Sequence, residues 1–266
     1  MLVGTDGCRC RQSKASILTV FLSYCPPAPA EPTFADRRPV ERGSRGFGIL
    51  GAVALNGTAA YEDAGELPLL VRNAVNAARR CGFANSCLPS HGRLLQLLAG
   101  GVREGVIGET GTGCGVGLAW LASGVRPGVR LVSIDREAAL VETARDIFED
   151  TPAVTVLHGD WRQLRAVGPF DLLALDGGGQ GKSGQPPIEP ADWLRSGGLV
   201  IIDDFTPTDR WPPLHDGRVD RVRLYWLQHP QLLAAEVRTQ PDAATVIATF
   251  RFKEGRASKT STDAAS

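Results

Sequence analysis

A chain of 266 residues that is 43% hydrophobic and 22% charged has ordinary globular composition and enough length to bury a large core without disulfides. Its 29 basic and 29 acidic residues cancel, so no net charge draws it to nucleic acid or to an acidic membrane surface, and no apolar run of ~20 residues offers a membrane span. Cys8, Cys10, Cys25, Cys81, Cys87 and Cys114 show no zinc-ligand spacing and read as reduced thiols of a reducing, cytoplasmic compartment.

Residues 1–48 differ from the rest, with five prolines and seven basic residues against four acidic ones. Apolar Ala15–Cys25 follows Arg9, Arg11 and Lys14, and Ala28-Pro29-Ala30 offers a small-x-small site, the outline of a secretory signal. The apolar stretch is weak and a proline stands beside the cleavage position, so a disordered leader ahead of a cytoplasmic domain is the favoured reading. Pro68–Arg80 reads as a helix with proline at its first position, and Ser90 as the N-cap of a second helix through Leu98. Strands are expected at Gly105–Glu109, Val129–Ile134, Ala153–Leu157, Phe170–Leu175 and Gly198–Asp203. Helices over Gly115–Ser123 and Glu137–Glu149 separate the first three; Leu140, Val141, Ala144, Ile147 and Phe148 form the apolar stripe of the latter. Strands alternating with helices mean parallel βαβ units, and runs such as Leu199-Val200-Ile201-Ile202 suit strands buried on both faces. A helix at Arg218–Gln228 and two strand-like runs, Ala234–Thr239 and Ala243–Phe252, follow; the pair reads as an antiparallel hairpin closing the sheet. Glu254–Ser266 is small, polar and aperiodic, a disordered tail.

The segment Gly105–Gly117 carries the most chemistry. A short apolar run ends in Glu109, a turn follows with Gly111, Gly113, Gly115 and Gly117, and a helix opens at Leu118. Such a turn brings backbone close to a nucleotide-like ligand because glycine has no Cβ. The dinucleotide fingerprint needs a small residue where Val116 or Leu118 stands, and a pyrophosphate would be repelled by Glu109. A carboxylate there suits a ligand with an ammonium group and no phosphate, as in S-adenosylmethionine. A nucleotide-binding oxidoreductase is therefore disfavoured.

Ligands of an open parallel sheet bind at the carboxyl ends of its strands, and every expected strand delivers an acid there: Glu109, Asp135, Asp160, Asp176, and the pair Asp203 and Asp204. Such a cluster repels itself unless ligands or cations compensate. Asp135, 26 residues after Glu109, is placed to accept ribose hydroxyls. Asp160 could accept from an adenine amino group with Trp161 as a wall. Asp176, Asp203 and Asp204 could gather a hard divalent cation, or serve as caps and hydrogen-bond acceptors.

Over roughly Leu88–Phe252, these features resemble class I S-adenosylmethionine-dependent methyltransferases, closest to the catechol O-methyltransferase-like O-methyltransferases. The strongest parts are Ile107–Gly117 and Asp135; Leu88–Leu98, Phe170–Asp176 and Gly197–Asp204 resemble the helix before the first strand and the fourth and fifth strands. The resemblance implies an α/β, Rossmann-like, doubly wound sheet of seven strands, mostly parallel with a C-terminal antiparallel strand and helices on both faces. It divides the chain into a leader (1–48), an N-terminal helical cap (49–100), the methyltransferase domain (101–253) and a tail (254–266). The cofactor-binding residues it implies are Glu109, Gly111, Thr112, Gly113, Gly115, Asp135, Arg136, Gly159, Asp160, Trp161 and Asp176. Asp176, Asp203 and Asp204 are its metal positions, for magnesium, with Asp204 where the family has asparagine; Asp176 is also the catalytic candidate. The family's catalytic lysine falls at Gly179, with Lys182 three residues on, and the serine that contacts the methionine carboxylate falls at Gly117. The implied reaction is O-methyl transfer to a small hydroxylated acceptor by an enzyme whose relatives commonly dimerise. The missing lysine keeps open a catalytically silent domain that binds S-adenosylmethionine.

Overall fold

A computed structural model describes residues 57–182 and 184–251; the expected leader 1–48 and tail 254–266 lie outside the described residues. Seven strands form one sheet: β1 (Val106–Thr110), β2 (Arg130–Asp135), β3 (Val154–His158), β4 (Phe170–Leu175), β5 (Leu194–Phe205), β6 (Leu232–Gln240) and β7 (Ala243–Phe250). Their order is β3-β2-β1-β4-β5-β7-β6. The first five pair in parallel, and β7 lies antiparallel to both β5 and β6. The hairpin thus closes the sheet as expected, with its second arm inserted inward against β5. Strand order reverses between β1 and β4, which opens a crevice at their carboxyl ends, the ligand position of doubly wound sheets.

Neighbouring residues of the central strands serve opposite faces. Ile107, Leu131, Leu172 and Ile201 join one core; Val106, Val132, Leu173, Val200 and Ile202 join the other. This period of two on a sheet covered on both sides explains the unbroken apolar runs. The first core is roofed by α1 (Leu69–Arg80), α2 (Pro89–Gly101), α3 (Val116–Gly124) and α4 (Ala138–Ile147). The second face carries α5 (Arg221–Gln228) and two 3-10 turns, Trp161–Ala166 and Pro190–Asp192. Helices on both faces are present, but unevenly. Between β4 and β5 the chain holds five glycines and three prolines from Gly177 to Pro190, and such a stretch cannot carry a helix.

Two start signals read differently in the structure. α2 begins at Pro89 with Leu88 as its cap, and the Ser90 hydroxyl, inside the first turn, has no hydrogen-bond partner. Proline at the first helical position took the role expected of the serine. α5 begins at Arg221, capped by Asp220 accepting from the Arg223 N–H at 3.0 Å, because Arg218 and Val219 pair with His215 and Leu214. Its fully buried Arg223 donates to Asp220 and Glu236, each at 3.0 Å, and to the Thr206 carbonyl at 2.8 Å. No described helix is long and apolar enough to cross a membrane.

Candidate active site

The turn after β1 uses its glycines for conformation and for closeness. Gly111, Gly113 and Gly115 have φ of 87°, 50° and 83°, a region that side chains disfavour. A Cβ on Gly111 would strike the Gly177 backbone, so the ends of β1 and β4 touch there. The Gly111 N–H donates to the Ile134 carbonyl at 2.9 Å, and left-handed Gly115 launches α3.

Under the turn lies a polar chain. Thr112 Oγ1 and Ser133 Oγ are 2.6 Å apart, and Ser133 donates to Glu109 Oε2 at 2.6 Å. Glu109 is 3% exposed, and a Cβ on Gly117 would press on its other oxygen. Burial pushes the Glu109 carboxyl up to about 8; Asp176 and Asp135 add to the rise while the Ser133 hydrogen bond opposes it. Asp135, at the end of β2, accepts from the Gly113 N–H through Oδ2 at 2.9 Å and from the Glu137 N–H through Oδ1 at 3.0 Å. Its carboxylate therefore ties the glycine turn to the start of the next helix.

These elements open into a cavity of about 630 Å³. Gly111, Thr112, Gly113, Asp135 and Arg136 line one end; Gly159, Asp160 and Trp161 line a side; Asp176, Asp203 and Asp204 line the other end. Two sequence candidates lie outside that wall: Glu109 sits beneath the turn, and Gly115 packs toward Phe148. Asp160 is also a structural cap. It accepts from the Arg162 N–H at 2.9 Å and pairs with the Arg162 guanidinium at 3.1 Å, contacts that hold its carboxyl below the usual range.

The acid-rich end has a structure of its own. Asp176 and Asp204 open onto the cavity, while Asp203 is mostly enclosed. Enclosure by the walls, followed by Asp204 and Asp203, pushes Asp176 up to about 8; enclosure and Asp203 also raise Asp204. Thr245 of β7 donates to Asp203 Oδ1 at 2.8 Å, and His91 Nδ1 of α2 stands 3.0 Å from Thr245 Oγ1 and 3.3 Å from Asp203 Oδ1. Lys182 reaches the same place from the glycine-rich loop. Its ammonium donates to the Asp203 and Asp204 carbonyls and lies 4.5 Å from the centre of the Phe205 ring. Desolvation lowers the Lys182 pKa against the opposing pull of Asp204, Asp203 and Asp176. Gly179, at φ 85° and hemmed by Ile188, does not suit a lysine.

Three participants carry no local signal that assigns them to the site. His91 and Thr245 meet Asp203 across 112 and 42 residues of chain, and no local pattern encodes either contact. Cys87, from the loop before α2, also lines the cavity; burial and nearby Asp176 raise its thiol pKa. Phe83 packs on Gly113 from the same loop, so the N-terminal segment forms part of the wall. The loop after β4 contributes Gly177, Gly178, Gly179, Gln180, Lys182 and Gln185; from Phe205 to Arg218 no residue lines the cavity.

Residues 109–205 match the family described as a methyltransferase domain. A "Probable O-methyltransferase" of Mycobacterium tuberculosis is 29% identical over 174 residues, 59% of this chain and 72% of the relative. Among solved structures, the O-methyltransferase of Bacillus cereus in complex with S-adenosylhomocysteine aligns with TM-score 0.54 at 20% identity, covering 73% of this chain and 96% of that one. An O-methyltransferase of Streptomyces achromogenes involved in tomaymycin synthesis, in complex with S-adenosylmethionine, aligns at 0.55 and 20%, covering 77% and 100%. At these identities the structures speak for the fold, and the fold is the expected one. Residues 109–205 thus match a methyltransferase domain, and the chain is similar to the O-methyltransferase group.

Proposed function

We propose that this enzyme transfers the methyl group of S-adenosylmethionine to an oxygen of a small hydroxylated molecule, and that donor and acceptor meet in the cavity at the carboxyl ends of β1, β2, β4 and β5. The observation that carries this reading is the join between turn and sugar site: Asp135 bonds the Gly113 N–H and faces the same cavity as Gly111 and Asp176. The donor's amino-acid end lies on the glycine turn, with the buried Glu109 carboxyl below it. Asp135 takes the ribose hydroxyls, and Arg136, Gly159, Asp160 and Trp161 flank the adenine; Asp160 does so while shared with Arg162.

The acceptor then stands at the Asp176 end. Its oxygen attacks the sulfonium methyl carbon as the carbon–sulfur bond breaks, leaving S-adenosylhomocysteine as a neutral thioether. The sulfur is already a good leaving group, so alignment and exclusion of water supply most of the rate. The hydroxyl proton needs an acceptor, and Asp176, raised to about 8, is a stronger base than an ordinary aspartate. Such a base is fully unprotonated only above that value, so turnover rises with pH through it.

The family resemblance also implies magnesium, and the residues do not fit it. Asp203 Oδ1 is taken by Thr245 and His91, and an ammonium already sits on the Asp203 and Asp204 backbone. Among the described residues no three His, Cys, Asp or Glu side chains converge as metal ligands. No step above passes through a metal. The test is mass spectrometry of a panel of phenols and catechols incubated with enzyme and methyl-labelled S-adenosylmethionine. Label in an ether product supports the reading; donor binding without label in any acceptor refutes it in favour of a silent domain.

A further inference from the structure

Three carboxylates facing one end of a cavity need compensation, and here it is built into the chain. Lys182 returns from a loop bent by positive φ at Gly179, Gly181 and Gly184, and its ammonium donates to the carbonyls of Asp203 and Asp204 against the face of Phe205. Asp176, Asp203 and Asp204 all act on its charge. An ammonium has three donors; two are spent on the β5 carbonyls, and the residue still lines the cavity. On the far side, His91 and Thr245 hold Oδ1 of the Asp203 carboxylate in place.

We infer that Lys182 supplies at this end of the cavity the positive charge a divalent cation would supply, making this a metal-independent methyltransferase in which Lys182 positions the acceptor oxygen. The inference rests on the proposed reaction and deepens it. A fixed ammonium holds one acceptor oxygen and stabilises negative charge there as the proton leaves for Asp176. It does not chelate two neighbouring oxygens, so an adjacent second hydroxyl brings no advantage.

The test is a titration with Mn2+, followed by electron paramagnetic resonance, on the full chain saturated with S-adenosylhomocysteine, whose affinity is first measured by calorimetry for each protein. The wild type should leave Mn2+ free through the millimolar range. Lys182→Met keeps the alkyl stem against Phe205 but removes the charge; it should bind one Mn2+ per chain at least tenfold more tightly than the wild type. Lys182→Arg, which restores a cation, should stay metal-free and controls for disturbance of the loop. Stoichiometric Mn2+ binding by the wild type overturns the inference, and so does a Lys182→Met protein that binds the product but takes up no more metal than the wild type. If Lys182→Met fails to fold, the wild-type and Lys182→Arg titrations still decide: metal uptake by either overturns it. Failure of the wild type to bind S-adenosylhomocysteine at all would instead count against the methyltransferase reading itself.

Discussion

Glu109→Gln should make the protein more stable in alkaline solution while weakening its hold on the donor. The carboxyl is 3% exposed and is pushed from the ordinary glutamate value of 4.5 to about 8. Below about pH 4.5 it is neutral in folded and unfolded chains alike. Between 4.5 and 8 the folded chain keeps a proton that the unfolded chain releases, so wild-type stability falls as pH rises. At about 1.4 kcal/mol per pH unit the full interval sets a ceiling of about 5 kcal/mol, reached above pH 8. The glutamine avoids this loss, but its NH2 group needs a partner that the polar chain through Ser133 does not offer, costing about 1–2 kcal/mol. The two stability curves should therefore cross, with the variant weaker at pH 5 and stronger, by up to about 3–4 kcal/mol, at pH 9. Urea unfolding at pH 5, 7 and 9 measures this directly, and calorimetry with S-adenosylmethionine at pH 9, where Glu109 is ionised, should show donor affinity lower by about tenfold or more, the worth of one lost charged partner. A variant less stable by the same amount at all three pH values would refute the argument, because Glu109 would then be held ionised by its neighbours.

Three further outcomes follow from the packing. Gly111→Ala places a Cβ against the Gly177 backbone at a left-handed φ, so it should lower the unfolding free energy read from chemical denaturation by about 2 kcal/mol or more and abolish donor binding; Gly65→Ala, with open space around its Cβ, is the control for left-handed strain alone. Arg223→Ala strands Asp220 and Glu236 and should cost about 3–5 kcal/mol in the same assay, with donor affinity of the remaining folded protein near wild type. Trp120→Phe removes the 2.9 Å hydrogen bond from Nε1 to the Tyr61 hydroxyl, worth about 1 kcal/mol, and should leave turnover unchanged.

Unbroken apolar runs in β4 and β5 and helical stripes such as that of α4 made the architecture readable from the chain, since such patterns report which faces are covered. The glycine end of the cavity was legible because Gly111 through Asp135 is a local motif whose glycines have a conformational cause. The acid-rich end was not. Its sign is visible in Asp176, Asp203 and Asp204, but the groups packed against them come from α2, β7 and a glycine loop, brought together only by the finished sheet. Spacing puts the family's lysine position at Gly179; the loop's backbone brings Lys182 to the same end of the cavity. The caps were misread where two signals competed, as Pro89 outweighed Ser90 at the start of α2.

The account depends most on Asp135 as the joint between glycine turn and donor ribose. Calorimetric titration of S-adenosylhomocysteine into wild type and Asp135→Ala tests it. The wild type should bind one equivalent per chain, and the variant, with its fold confirmed by a cooperative unfolding transition above the titration temperature, should bind at least about a hundredfold more weakly, the order of two lost hydrogen bonds to a charged group. Equal affinity in the two proteins would contradict the placement of the donor and with it the proposed reaction site.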